Sequence, residues 1–248
     1  MTTDAEAGRE SSDRDTSSPG DSVGVDATDR SEPDGAYEAH LERSRRKWDR
    51  WSDWYGMSER DFEPMREDAI DRLEIEPGDR VLDVGCGPGV NLALLREAVG
   101  PTGGVVAVDY SPEMVAKARE RVDEHGWENV EVVRADATRV AFDEPFDAAI
   151  ASLSLSVMPD VRRAVENVHR LLVPGAPLVV FDVRPFPSGP ARVLNPLVWR
   201  FLRWCANWNP DDDVLEALRA TFPECEVFET YTAGTTYTAL CRAAEPPS

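Results

Sequence analysis

The stretch VLDVGCGPGV, residues Val81 to Val90, places three glycines at every second position directly after a run of apolar residues. A helical pattern, Asn91–Ala98, follows it. Glycine at such a turn permits a sharp bend of the backbone or the close approach of another group. A ligand can meet backbone amides at the N-terminus of the helix that follows. The stretch therefore predicts a strand, a tight turn and a helix, with a candidate ligand site between them.

Short β-branched runs and helical patterns alternate on the C-terminal side of this turn. We predict strands at Arg80–Val84, Val105–Val108, Val130–Val133, Ala148–Ala151 and Leu178–Phe181, and helices at Asn91–Ala98, Pro112–Glu124 and Asp160–Leu172. Continuous apolar strands joined by helices are typical of a parallel sheet covered on both faces. Two last runs, 224–232 and 236–243, predict a hairpin. The expected fold class is α/β, a doubly wound, mostly parallel, seven-stranded Rossmann-like sheet with a C-terminal antiparallel hairpin.

The chain divides into three regions by composition. Met1 to Glu38 contains eleven acidic residues and three arginines, which predicts a disordered acidic tail over residues 1–35. Residues 36–76 have the pattern of two helices, expected to form a lid or part of a substrate site. Residues 77–248 form the main domain, with a substrate-side insertion at about 183–210. Two helical stretches there are expected to open with Asn-Pro, at Asn195 and Asn209.

The net charge of the chain is −20, with 47 acidic and 27 basic residues, and only Lys47 and Lys117 are lysines. An acidic surface is unsuited to phosphate backbones, so no nucleic-acid partner is expected. The acid-rich, lysine-poor composition resembles that of proteins from salt-in halophiles. No apolar run approaches the roughly 20 residues of a membrane span. The N-terminus lacks the features of a secretion signal, which favours a cytoplasmic location.

The four cysteines, Cys86, Cys205, Cys225 and Cys241, contain no CxxC pair. Their wide spacing predicts reduced, mostly buried thiols rather than a disulfide framework or a zinc site. The three histidines are far apart in the sequence, and no structural metal is expected.

The glycine spacing excludes two common phosphate sites. The dinucleotide fingerprint needs a sixth-position glycine, where this chain has Val90, and no Gly-Lys-Ser/Thr of a P-loop is present. A pyrophosphate ligand is therefore disfavoured.

Four linked segments carry a resemblance: VLDVGCGPG, VVAVDYSPEMVAKARE, VRADATRVAFDEPFDAAIASLSLSVMPD and LLVPGAPLVVFDV. Together, over about residues 75–183, they resemble the class I S-adenosylmethionine-dependent methyltransferases. The branch with small-molecule acceptors, which includes the ubiquinone and menaquinone methyltransferases, is the most similar. The resemblance implies S-adenosyl-L-methionine as cofactor and methyl transfer as the reaction.

The resemblance also implies the cofactor site. Asp83 would lie near the cofactor's ammonium group, the glycine loop would approach its methionine and ribose portions, and Asp109 would accept both ribose hydroxyls. Met114 would pack on the adenine, and Asp136 with Ala137 would bind the adenine edge. The full predicted set is Asp83, Gly85, Cys86, Gly87, Gly89, Asp109, Tyr110, Met114, Asp136, Ala137 and Ser152, the last at the methionine end.

One segment departs from the family pattern. Where the family commonly has ALHHL after the fourth strand, this chain has LSLSVM, so Ser156 and Val157 replace the histidine pair. A histidine base is therefore absent from that place, and the identity of the acceptor stays open.

The acceptor site is expected outside the four segments, where aromatic residues concentrate: Trp48, Trp51, Trp54, Tyr55, Phe186, Trp199, Trp204 and Trp208. They suggest a small apolar or aromatic acceptor, including a quinone-like or lipid-like one, although packing alone could also explain them. Tyr55 and Asp182 are the polar candidates for a catalytic role. The stretch VLNPLVWRFLRWCANW also fits weak contact with a membrane surface, with ordinary packing favoured.

Two alternatives remain open. One is a methyltransferase that acts on RNA or protein, although the chain shows no target-binding module. The other is a non-catalytic protein that keeps the fold and binds the cofactor for regulation, because a binding motif does not by itself prove turnover.

Overall fold

A computed structural model describes residues 35–58 and 62–244, except for the side chains of residues 51–58. Its seven strands are β1 Arg80–Val84, β2 Gly104–Asp109, β3 Val130–Arg134, β4 Ala148–Ser152, β5 Pro177–Val183, β6 Glu224–Tyr231 and β7 Thr236–Arg242. Its α-helices are α1 Gly35–Ser58, α2 Glu63–Asp71, α3 Leu92–Val99, α4 Pro112–His125, α5 Val161–Leu171, α6 Asn195–Ala206 and α7 Val214–Thr221.

The strands form one sheet in the order β3-β2-β1-β4-β5-β7-β6. Strands β1 to β5 are parallel, β7 is antiparallel to β5, and β6 is antiparallel to β7. The predicted α/β class, the mostly parallel sheet and the C-terminal antiparallel pair are confirmed. Strands β2 and β3 follow on one side of β1, whereas β4 and β5 lie on its other side. Ligands bind at this reversal of strand order, between β1 and β4, in open α/β sheets.

Apolar side chains fill both faces of the sheet. On one face Leu82 and Val84 pack with residues of α5 and α7, and on the other Val81 packs with residues of α2, α3 and α4. Burial on both faces explains why β1, β4 and β5 consist almost entirely of apolar residues.

Side-chain caps set several helix boundaries. The Ser111 hydroxyl accepts the Met114 N–H at the start of α4, as its Ser-Pro sequence predicts, and Gly126 ends that helix with φ +63°. Helix α7 begins at Val214 rather than near Asn209, because the Asp213 carboxylate accepts the N–H groups of Leu215 and Glu216.

The expectation that all four cysteines are free is wrong. Cys225 and Cys241 lie directly opposite each other on β6 and β7 and form a disulfide, with Cα atoms 4.0 Å apart. A bulge between Val227 and Glu229 shifts the register of this hairpin by one residue. Without that shift, Cys225 would face Arg242, so the sequence pattern alone did not reveal the pair.

Helices α1 and α6 pack against each other. The Lys47 ammonium donates to the carbonyl oxygens of Arg203 (2.9 Å) and Trp204, and the Asn207 amide donates to the Ser44 hydroxyl (2.6 Å). The predicted acidic tail lies outside the described residues. Among the helices that the structure describes, none is long and apolar enough to cross a membrane.

Candidate functional site

The glycine loop is fixed by its main chain. The N–H groups of Gly85 and Cys86 both donate to the Val108 carbonyl oxygen, at 2.8 and 3.0 Å. The loop is thereby held against the end of β2, next to Asp109. Because these bonds use only backbone atoms, glycine can occupy the loop without weakening its attachment to β2.

The first two glycines of the loop meet different surroundings. Gly85 has φ +70°, and a Cβ on it would lie 2.4 Å from the Cβ of Ser154. Gly87 has φ +56°, lines a cleft, and has open space where its Cβ would be. Gly85 thus allows β1 and the loop after β4 to approach closely, whereas Gly87 leaves room for a ligand.

The Asp109 carboxylate lies at the end of β2 and faces the same cleft. One of its oxygens accepts the Gly87 N–H (2.9 Å), and the other accepts the Ser111 N–H (2.8 Å). A carboxylate offers about four acceptor positions, so about two remain for a ligand. Burial raises the pKa of Asp109 above its usual value, while these two backbone donors lower it.

The cleft contains about 790 Å³ of empty space, counting the space open to solvent at its mouth. Eight of the eleven predicted cofactor residues line it: Gly85, Gly87, Asp109, Tyr110, Met114, Asp136, Ala137 and Ser152. The structure therefore brings together residues from the ends of β1, β2, β3 and β4. The Met114 side chain is almost fully buried at its edge.

The other three predicted residues, Asp83, Cys86 and Gly89, lie behind the cleft wall. Cys86 is buried in the core, and a Cβ on Gly89 would lie 2.6 Å from the Leu92 side chain. These two residues shape the loop from inside. Neither Cys86 nor Gly89 lines the cleft, so neither is placed to contact a ligand in it.

Asp83 is fully buried and reaches the cleft through one neighbour. The Asn91 amide donates to both Asp83 oxygens (3.2 and 3.3 Å) and to the Ser152 hydroxyl (3.3 Å), which lines the cleft. Burial raises the pKa of Asp83 to about 7; the Asn91 amide lowers it and the Asp109 charge raises it further. Asp83 is thus connected to the cleft through Asn91 and Ser152.

Asp136 is already fully used as an acceptor. Its oxygens accept the N–H and hydroxyl of Thr138, the Arg139 guanidinium (3.0 Å) and the hydroxyl of Tyr37. Four donors occupy the acceptor capacity of one carboxylate. An adenine amine could bind Asp136 only by taking the place of one of these donors.

Helix α1 covers the cleft. Leu41, Ser44, Arg45 and Trp48 line the cleft from this helix, and the Asp49 carboxylate accepts the Ser111 hydroxyl at 2.6 Å. Sequence reasoning named only Trp48 of this set. The i, i+3 and i, i+4 pairs of Arg45 with Glu42 and Asp49 resemble those of any charged surface helix. The sequence therefore does not mark these residues as part of a site.

Comparisons with known proteins indicate the same family as the four sequence segments. Residues 81–175 match a family model described as a methyltransferase domain. The chain is 36% identical to an arsenite methyltransferase of Halobacterium salinarum over 45% of its own length and 30% of that enzyme's. It is 36% identical to a phosphatidylethanolamine N-methyltransferase of Cereibacter sphaeroides over 61% of this chain and 72% of that one. A demethylmenaquinone methyltransferase of Anoxybacillus flavithermus is 31% identical, over 57% and 62%.

The chain belongs to the S-adenosylmethionine-dependent methyltransferases. The fold agrees: a methyltransferase structure from Aquifex aeolicus superposes with a TM-score of 0.51 and 24% identity, over 72% of this chain and 88% of that one. S-adenosylmethionine is its cofactor. The residues present fit it, since Gly87 leaves open space at the cleft and Asp109 has unused acceptor positions beside it.

Four of the aromatic residues predicted for the acceptor site of this methyltransferase lie outside the cleft. Of the described residues 183–210, none lines the cleft, so Phe186, Trp199, Trp204 and Trp208 are not part of its wall. Trp199 and Trp204 instead lie 46% and 67% exposed on α6. These four residues lie outside the cleft because α6 packs against α1, and their part in an acceptor site stays an untested prediction. The side chains of Trp51, Trp54 and Tyr55 lie outside the described part.

Asp182 is fully buried, away from the cleft of the methyltransferase. Its carboxylate accepts the Ser156 hydroxyl (2.6 Å) and the N–H groups of Ser156 (3.0 Å) and Val183 (2.7 Å). Burial raises its pKa to about 6, while the Ser156 bonds lower it. Asp182 therefore fixes the loop that carries Val157 and Met158 into the cleft, and a role as a base stays an untested prediction.

No metal-binding cluster of three His, Cys, Asp or Glu residues occurs in the part of the methyltransferase that the structure describes.

Proposed function

We propose that this methyltransferase transfers the methyl group of S-adenosylmethionine to a small apolar or aromatic acceptor, quinone-like or lipid-like. The supporting observation is the glycine loop, where Gly87 leaves open space next to the Asp109 carboxylate at the cleft. The rest of the lining favours an apolar acceptor. Leu41, Trp48, Val157 and Met158 face the same space.

The proposed roles of the protein are binding, orientation and exclusion of water. When bound, S-adenosylmethionine would supply a sulfonium-activated methyl group: the acceptor forms a bond to the methyl carbon as the carbon–sulfur bond breaks, and S-adenosylhomocysteine leaves. Asp109 would hold the ribose hydroxyls, Met114 would pack on the adenine, and Ser152 would face the methionine end. Helix α1 would close the cleft and keep water out. Holding the reactants close and aligned, without reorganisation of solvent, can lower the barrier by about 7–11 kcal/mol.

The names of the relatives give the first acceptors to test. They are described as methyltransferases of arsenite, phosphatidylethanolamine and demethylmenaquinone. Ser156 and Val157 stand where a histidine pair is common in the resembled branch, so we propose an acceptor that needs no histidine base at that place. The rate of methyl transfer to each of these three compounds, measured at equal enzyme and cofactor concentration, distinguishes the three acceptor classes. Turnover with an RNA or protein fraction and with none of the three would contradict the small-molecule proposal.

The ribose assignment is tested by Asp109→Ala. Hydrogen bonds to a charged group contribute about 1.5–3 kcal/mol, so affinity for S-adenosylmethionine should fall roughly ten- to a hundredfold at ~1.4 kcal/mol per decade. Calorimetry measures the dissociation constant. Asp123→Ala, on the exposed side of α4, removes the same charge away from the cleft and should change nothing. Affinity of a folded Asp109→Ala protein within twofold of the parent would refute the assignment.

A further inference from the structure

The large exposed apolar side chains of the described residues all lie in one short segment. They are Val193, Leu194, Leu197, Trp199, Phe201 and Trp204, with exposed fractions from 46% to 79%. The segment consists of the 3₁₀-helix Pro190–Leu194 and helix α6. A cluster of this kind on a soluble surface marks an interaction site, whereas scattered exposed apolar residues do not.

The exposed residues form a helix face. Leu197, Phe201 and Trp204 follow the i, i+4, i+7 spacing that places side chains on one side of a helix. Val198 and Leu202, on the adjoining side, are partly buried toward the protein. None of the twelve described residues of α6 is fully buried. The helix therefore turns a second apolar face outward.

The charge of this segment is opposite to that of the chain. Residues 190–206 contain three arginines, Arg192, Arg200 and Arg203, and no aspartate or glutamate, in a chain of net charge −20. Arg200 lies at i+3 from Leu197 and beside Phe201, so positive charge borders the apolar face directly.

Hydrogen bonds attach the segment to the rest of the protein. Lys47 of α1 binds the carbonyl oxygens at the C-terminal end of α6, and the side-chain amide of Asn195 both donates to and accepts from the Phe186 backbone (3.1 and 2.9 Å). Asn207 reaches Ser44, which lines the cleft. The outward face is thus built on a fixed support, one residue away from the wall of the active site.

We propose that the α6 face, defined as Val193, Leu197, Phe201 and Trp204 with Arg200 and Arg203, docks onto the surface of an anionic lipid bilayer. Tryptophan and phenylalanine enter the boundary between headgroups and acyl chains, and arginines beside them pair with anionic headgroups. The remaining surface, rich in acidic residues, would be repelled by such a bilayer, which makes this face the one that can approach. The inference does not depend on which molecule is methylated.

A second copy of the chain is a poorer occupant of the same face. A two-fold contact would bring identical surfaces together. The arginines of both copies would then meet with no acidic residue from either segment to pair with them. Lipid phosphates supply that negative charge.

Vesicle co-sedimentation with the full chain, without cofactor or acceptor, tests the proposal. We expect binding to phosphatidylglycerol vesicles, weaker binding to phosphatidylcholine vesicles, and a decrease with added salt. Leu197→Ser with Phe201→Ser should lower the partition coefficient at least roughly tenfold. Arg200→Gln should lower it about fivefold for phosphatidylglycerol only. Arg162→Gln, an exposed arginine on α5, is the matched control and should bind like the parent.

A second readout reports insertion. Vesicles with brominated acyl chains should quench tryptophan fluorescence of the parent, and Trp204→Phe should remove most of the quenching. Absence of binding to phosphatidylglycerol at low salt would overturn the proposal, as would equal loss in the Arg162→Gln control. Dimerisation that Leu197→Ser abolishes would assign the face to a second copy. Hydrogen-exchange protection of residues 1–34 that the same change removes would assign it to that segment.

Discussion

The two walls of the cleft are built differently. The glycine loop is fixed by main-chain bonds to Val108 and by the Asp109 carboxylate. Helix α1 is attached through side chains: Tyr37 to Asp136, Asp49 to Ser111, and His40 and Ser44 to the Val157 carbonyl oxygen. The bonds to the Asp136 and Asp49 carboxylates contribute about 1.5–3 kcal/mol each, and those to the Val157 carbonyl oxygen about 0.5–1.5 kcal/mol. The wall formed by the glycine loop is therefore rigid, whereas helix α1 is held by separate side-chain bonds that can break independently.

The largest expected effect concerns the rigid wall, at Gly85. In Gly85→Ala the new Cβ would lie 2.4 Å from the Ser154 Cβ, and Ser154 is held by its hydroxyl bond to the Val84 carbonyl oxygen (2.6 Å). Steric overlap and the positive φ each cost about 1–3 kcal/mol, so the free energy of unfolding should fall by about 4 kcal/mol. Chemical denaturation measures it.

Gly87→Ala is the matched control for that change. Gly87 has a similar positive φ, and no atom lies within 4 Å of the added Cβ. Its stability loss should be near 1 kcal/mol, while cofactor affinity falls because the methyl group enters the cleft. Equal stability losses in the two variants would show that the loop is not held by the close approach to Ser154.

The second prediction concerns the buried carboxylate behind the same wall. Because burial raises the pKa of Asp83 to about 7 in the folded protein, above about 3.9 in an unfolded chain, the native state binds the proton more tightly. The free energy of unfolding that Asp83 contributes by binding this proton is fully present below about pH 4 and is lost as the pH rises to about 7. At about 1.4 kcal/mol per pKa unit, the loss should be on the order of 4 kcal/mol.

Asp83→Asn isolates this contribution. Denaturation at pH 4 to 8 should show a shallower fall of stability in the variant than in the parent, apart from a constant offset from the changed bond to Asn91. Asp123→Asn, at an exposed position, should keep the slope of the parent. Parallel curves for Asp83→Asn and the parent would place the titrating group elsewhere.

The rigid wall could be predicted from the sequence because its causes are local. Strand, glycine turn and helix cap follow one another within a few residues, and Asp109 with Ser111 belongs to a single strand-to-helix connection. Five parallel strands follow from apolar runs that are buried on both faces. The boundaries of β1 to β5 accordingly differ from prediction by at most two residues.

The covering helix could not be predicted in the same way. Tyr37 meets Asp136 across 99 residues of chain, and no local pattern encodes such a contact. Helix α6 is apolar on more than one side, so its sequence does not show whether Trp199 and Trp204 face the cleft or the solvent. The disulfide between Cys225 and Cys241 depends on the bulge that shifts the hairpin register.

The smallest expected effect belongs to this covering helix, at Tyr37. Its hydroxyl is one of four donors to Asp136, the residue predicted to bind the adenine amine. Tyr37→Phe removes that donor, frees one acceptor position and weakens the attachment of α1 by about 1.5 kcal/mol. S-adenosylmethionine should then bind up to about tenfold more tightly, with a faster association rate in stopped-flow measurements. Tyr231→Phe on β6, remote from the cleft, should leave both quantities unchanged. Weaker binding by Tyr37→Phe would mean that the Tyr37 bond belongs to the cofactor-bound arrangement. The adenine would then bind beside Asp136 rather than to it, and the covering helix would be as fixed as the glycine loop.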